Sequence, residues 1–112
     1  MIYSEFPQAF VAATGLGLRY LKWKSVSTDP NPVLPYCLYL LNPSDDVQAD
    51  DGHYLQIANV QFEFYSNKQD SASRSKIEAF FDANDISWSF EGDTYLDTEL
   101  MEMAVYQIQL FK

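Results

Sequence analysis

The sequence predicts an α+β domain in which two helices accompany a mostly antiparallel, five-stranded sheet in the order α-β-β-β-α-β-β. Two stretches place apolar residues at helical spacing, five others run apolar or alternate apolar with polar, and 16% of the residues are aromatic. Large aromatic side chains favour strands and bury much area each. A chain of 112 residues, 47% of them hydrophobic, has material for one core, so residues 1–112 are expected to form a single domain.

Ser4 stands where it can cap the first helix, Glu5 suits the first turn, and Pro7 is tolerated because early helical N–H groups have no acceptor within the helix. Phe6, Phe10, Val11 and Ala13 supply an apolar side, and Gly15-Leu16-Gly17 ends the element. Residues 18–23 read as a strand with imperfect alternation, and residues 25–35, holding Pro30, Pro32 and Pro35, as an extended loop. The run from 35 to 41 is almost wholly apolar, as expected of a central strand covered on both faces. Residues 42–52 form a polar loop with four Asp.

The clearest strand is 53–65, where Val60, Phe62 and Phe64 point one way and Gln61 and Glu63 the other. Leu55 and Ile57 occupy the opposite parity, which predicts a bulge or sharp twist at Ala58-Asn59. Asp70 or Ser71 caps a second helix whose Ile77, Phe80 and Phe81 repeat at i, i+3, i+4, and which ends near Asn84. Trp88 and Phe90 alternate with Ser87, Ser89 and Glu91 in a fourth strand, and Glu91-Gly92-Asp93 suggests a turn. In the last strand, residues 101–111, Tyr106, Ile108 and Leu110 alternate with Gln107 and Gln109.

Sixteen acidic against seven basic residues give a formal net charge of −9. That balance opposes binding to nucleic acid, which works through neutralisation of phosphates by Lys and Arg. The bases fall into two small clusters, Arg19, Lys22 and Lys24, then Lys68, Arg74 and Lys76, while residues 78–102 hold eight acids and no Lys or Arg. Aromatic strand faces without accompanying cations are poor platforms for single strands and suit packing better.

The single Cys37 lies in an apolar run and is expected to be a buried, reduced thiol. No basic stretch precedes an apolar run at the N-terminus, and no window nears the roughly 18 apolar residues of a membrane span. Synthesis and maturation in a cytoplasm, without a membrane, are therefore expected. One His and one Cys, neither in a nucleophile signature, offer no catalytic dyad or triad. The acidic loop has Val47 and Gln48 where an EF-hand needs ligands and no closing Glu, so no metal is expected. Gly15-Leu16-Gly17 follows a helix and precedes a strand, the wrong order for a dinucleotide turn. No enzyme activity, catalytic residue or cofactor is expected.

Several segments taken together resemble a known family. They are Leu34-Pro35-Tyr36-Cys37-Leu38-Tyr39-Leu40, the loop with Ala49-Asp50-Asp51, His53-Tyr54, and Asn59-Val60-Gln61-Phe62-Glu63-Phe64-Tyr65. Lys76-Ile77-Glu78-Ala79-Phe80, Ser87-Trp88-Ser89 and the stretch from Tyr95 to Met103 continue the pattern. Over residues 34–111 the chain resembles the tail-terminator, or tail-completion, proteins of siphophages infecting Gram-positive hosts.

The resemblance implies a ring-forming virion protein, typically hexameric, assembled in the host cytoplasm. Such a ring caps the tail tube at the neck and joins tail to head, so its partners would be further copies of itself, the tail tube protein and a head-completion or connector protein. DNA would pass through the lumen, where an anionic wall repels phosphates. The loop over 42–52 is long for a strand connection, carries four carboxylates without a ligand pattern, and has a counterpart in the resembling family. Asp45, Asp46, Asp50, Asp51 and His53 are accordingly the expected assembly interface. Size and charge are also compatible with another neck component, a head-completion or connector protein, or with an acidic inhibitor that mimics DNA.

Overall fold

A computed structural model describes residues 1–21, 34–42, 57–67, 70–97 and 101–112. A short 3-10 turn, Tyr3–Glu5, leads into α1 (Phe6–Thr14), followed by β1 (Gly17–Tyr20), β2 (Tyr36–Leu41), β3 (Ile57–Ser66), α2 (Ser71–Ala83), β4 (Ser87–Leu96) and β5 (Met101–Phe111). The five strands form one sheet in the order β1-β2-β3-β5-β4. β1 runs parallel to β2, and every other neighbouring pair is antiparallel. The α+β class, the element order and the mostly antiparallel sheet are those expected.

The start of α1 and its buried side differ from expectation, while its end at Gly15 is the expected one. Ser4 lies inside the 3-10 turn, Glu5 occupies the N-cap, and no side chain caps that end. The buried side of α1 is Phe6, Phe10 and Thr14, whereas Val11 is 41% exposed and Ala13 is exposed too. Residues 6, 10 and 14 are each one helical turn apart, and Val11 and Ala13 fall outside that stripe. Thr14 belongs in it because its hydroxyl donates to the Phe10 carbonyl at 2.8 Å and accepts from the Leu16 N–H at 3.2 Å. Gly15 closes the helix with φ +74°, a left-handed conformation in which a side chain is strained.

β1 stops at Tyr20, earlier than the 18–23 reading, because Leu21 turns to φ +68° and its N–H donates to the Tyr39 carbonyl at 2.8 Å. In β2, Cys37 and Leu38 are both buried, on opposite faces, but Leu41 is exposed, so the expected cover on both faces holds only at the strand's start. β3 contains no bulge at Ala58-Asn59: its register with β5 is unbroken from Ile57↔Phe111 to Ser66↔Glu102. Ile57 points to the open face and is exposed there.

α2 begins as expected, with the Asp70 carboxylate accepting from the Ser73 N–H at 3.0 Å and from the Ser73 hydroxyl at 2.8 Å. Its far end is a Schellman motif: the Ile86 N–H reaches the Phe81 carbonyl and the Asp85 N–H the Asp82 carbonyl, with Asp85 at φ +53° where glycine is usual. Ile86 and Phe81 are both buried, the apolar contact that accompanies this motif. Glu91-Gly92-Asp93 is no turn. β5 pairs onward with β4 from Ser87↔Gln109 through to Leu96↔Met101, and the register shift between Phe90 and Gly92 marks a bulge with Gly92 at φ +124°.

Both helices lie on one face of the sheet and meet there around Phe62, which is fully buried. Its ring stands edge-on to Phe10 at 5.2 Å, Phe81 at 5.5 Å, Tyr106 at 6.2 Å and Phe6 at 6.3 Å, two of these rings coming from α1 and one from α2. Val60, Phe64, Ile77, Ile108 and Leu110 complete the layer, so the core faces read from β3, α2 and β5 are the observed ones. Edge-to-face ring pairs each add about 0.5–1.5 kcal/mol beyond the area they bury. Phe62→Ala is therefore expected to cost about 3–5 kcal/mol in a denaturant titration, the usual cost of emptying a buried Phe site. An unchanged midpoint would show that Phe62 is not the junction of the two helices.

Candidate functional site

Asp45, Asp46, Asp50, Asp51 and His53, the expected interface, lie outside the described residues. The structure instead draws attention to two surfaces that parity in the strands creates. Residues of opposite parity to the core line the second face of the sheet, on which no helix packs among the described residues.

One half of that face is apolar. Tyr36 of β2 and its register partner Tyr65 of β3 stack at 5.0 Å with 17° between their rings, and the Tyr36 hydroxyl lies 4.0 Å from the Met101 sulfur. Met103 is the register partner of Tyr65, so a row Tyr36, Tyr65, Met103 crosses three strands. Thr94 follows Met103 on β4. Methionine beside aromatic rings makes a surface that adapts to a partner's shape. Glu63 borders this row as a polar fixture: its carboxylate accepts from Gln61 Nε2 at 2.7 Å and from the Tyr65 hydroxyl at 2.8 Å. The bond holds Tyr65 in the orientation that stacks on Tyr36.

The other half is polar and uncharged apart from its rim. Asn42, Asn59, Ser87, Ser89, Gln107 and Gln109 line a broad groove of about 550 Å³, with Glu91 at its border. Gln109 donates from Nε2 to Asn59 Oδ1 at 3.2 Å across the β3–β5 register pair. Such a surface offers hydrogen-bond donors and acceptors from amide and hydroxyl side chains.

On the helix face, a polar bracket ties α2 to the sheet. The Tyr106 hydroxyl donates to Glu78 Oε2 at 2.6 Å and accepts from Arg74 Nε at 3.1 Å, while Arg74 Nη2 lies 3.7 Å from the same Glu78 oxygen. The Arg74 guanidinium rests over the Phe90 ring at 4.3 Å, and Trp88 Nε1 donates to Asp82 Oδ1 at 2.9 Å, so β4 is held to α2 at two points. The i, i+4 spacing of Arg74 and Glu78 was visible in the sequence. Their convergence on Tyr106 was not, because Tyr106 follows Arg74 by 32 residues.

Burial, and then the bond to Glu78, push the Tyr106 phenol up to about 12, against the opposing bond from Arg74. Burial also pushes the Cys37 thiol up, so this thiol is inert at neutral pH, in keeping with its expected place in the core. Among the described residues, no three His, Cys, Asp or Glu side chains converge as a metal site, and no helix is long and apolar enough to cross a membrane.

No family model, curated protein or solved structure matches the chain.

The Tyr106 proton is held more tightly in the folded chain than in the unfolded one, where phenols titrate near about 10. The stabilisation is therefore complete below about pH 10 and is lost as pH rises towards about 12. Tyr106→Phe is expected to cost about 1 kcal/mol at neutral pH and to flatten the alkaline loss of stability in that window. Identical alkaline slopes for the two proteins would show that the Tyr106 bracket plays no part in it.

Proposed function

We propose that this chain is a structural virion protein of the tail-terminator kind, a subunit of a ring that caps a siphophage tail tube and joins it to the head. The observation that carries this reading is the one-sided construction of the sheet. Both helices are spent on one face, and the other presents a stacked tyrosine pair with two methionines beside a neutral polar groove. Aromatic and methionine side chains are enriched where proteins meet. The resemblance read from the sequence over residues 34–111 points to the particular assembly.

The charge fits the same reading. At −9 the protein repels phosphates, so DNA passing through a ring of such subunits is not retained on its wall. A head-completion or connector protein would share this property and differ in location.

Location is therefore the test. Gold-labelled antibody to the chain should mark one spot on free tails, at the end that receives the head, and removing the gene should leave heads and tails unjoined in electron micrographs. Label along the tube, label on the head vertex of tailless heads, or intact virions without the gene would overturn the proposal.

A further inference from the structure

We infer that copies of this chain join head to tail through the edges of the sheet, with the outer edge of β4 on one copy pairing antiparallel with the outer edge of β1 on the next. This deepens the ring reading, on which it rests for a second copy as the partner.

β4 is ten residues long and is paired on one side only among the described residues. Which of its peptide groups face outward follows from one bond. The Phe111 N–H donates to the Met1 carbonyl at 3.0 Å on the side of β5 away from β3, in line with β4. By alternation, the odd-numbered residues of β5 turn their N–H and C=O groups towards β4. Their partners Ser87, Ser89, Gly92 and Thr94 are thus engaged, and Trp88, Phe90, Asp93 and Tyr95 direct theirs outward. A long row of such groups is a template for another strand.

Charge selects which strand. The eight acids of residues 78–102 include Glu91 and Asp93 on β4, with no Lys or Arg in that span. β1, the other edge among the described residues, belongs to the opposite case: over Gly17–Tyr20 its one charged residue is Arg19. Pairing β4 with a second β4 would set acidic strands side by side, whereas pairing it with β1 brings Glu91 of one copy towards Arg19 of the next, Asp93 being on the helix face beside Arg74 of its own chain. Arg19 lies on the open face, as its register partner Leu38 does, and Glu91 borders the groove on that face.

Direction agrees. β1 and β2 run one way, β3 the other, β5 with β2, and β4 with β3, so β4 is antiparallel to β1. Rotation about an axis along the strands brings the β1 edge of the next copy to β4 in the antiparallel sense and keeps every helix layer on one side. A contact between two different edges is heterologous, and repeated rotation closes it into a ring or extends it as a filament.

The test is sedimentation velocity over a concentration series at low salt, on the wild type, on Glu91→Lys and on Arg19→Glu, with folding verified by circular dichroism. The wild type should assemble and dissociate as salt rises. Each charge-reversed variant should remain monomeric, and an equimolar mixture of the two should assemble again, because each supplies the edge that the other's altered edge now fits. Tyr95→Pro, which removes an outward N–H and leaves the β5 ladder intact, should also be monomeric. Assembly of the folded single variants as in the wild type, or a mixture that stays monomeric, would overturn the edge pairing. Salt-sensitive edge assembly by a protein that is absent from tail ends would uphold this inference and overturn the function proposed above.

Discussion

The structure depends on the Phe62 ring being covered from both helices at once. Phe62 sits in the middle strand of the sheet, Phe6 and Phe10 reach it from α1, Phe81 from α2, and Tyr106 from the neighbouring strand. One site of dense ring packing thereby holds elements that are far apart in sequence, and it draws both helices to the same face. A small domain has few kcal/mol to spare, so this single layer is where its stability is concentrated. That no helix of the described residues packs on the second face follows directly from that economy.

Local chemistry was legible where one element decides its own fate. The parity of Val60, Phe62 and Phe64, the stripe Ile77, Phe80 and Phe81, and the Asp70 cap all have local causes, and all stand as read. Features decided by distant pairing were not legible. Glu91-Gly92-Asp93 has the composition of a turn, yet β5 continues alongside and converts it into a bulge. Ile57 looked out of phase only while both faces of β3 were judged by the core alone. Val11 and Ala13 are apolar but face away from a core that only the tertiary structure defines.

The same limit applies to function. The acidic loop and His53, which the sequence favoured as an interface, fall outside the described residues, and the surfaces the structure offers are made of residues spread over several strands. Tyr36, Tyr65 and Met103 become a row only through the register of three strands. Glu91 and Arg19 stood in the sequence within an acidic stretch and a basic cluster, but the strand order β1-β2-β3-β5-β4 was needed to place these two residues on opposite edge strands. Acidic residues and the bulge guard β4 against pairing with itself while leaving it open to an edge of the other charge.

Residue-resolved amide hydrogen exchange on dilute protein tests this arrangement most directly, because it reports which backbone groups the fold itself occupies. The slowest exchange is expected in β3 and β5, which are paired on both sides, with fast exchange at Trp88, Phe90, Asp93 and Tyr95 beside slow exchange at Ser89 and Thr94. Uniform protection along β4, or slower exchange at the outward set than at the inward one, would contradict a one-sided core bounded by an open edge.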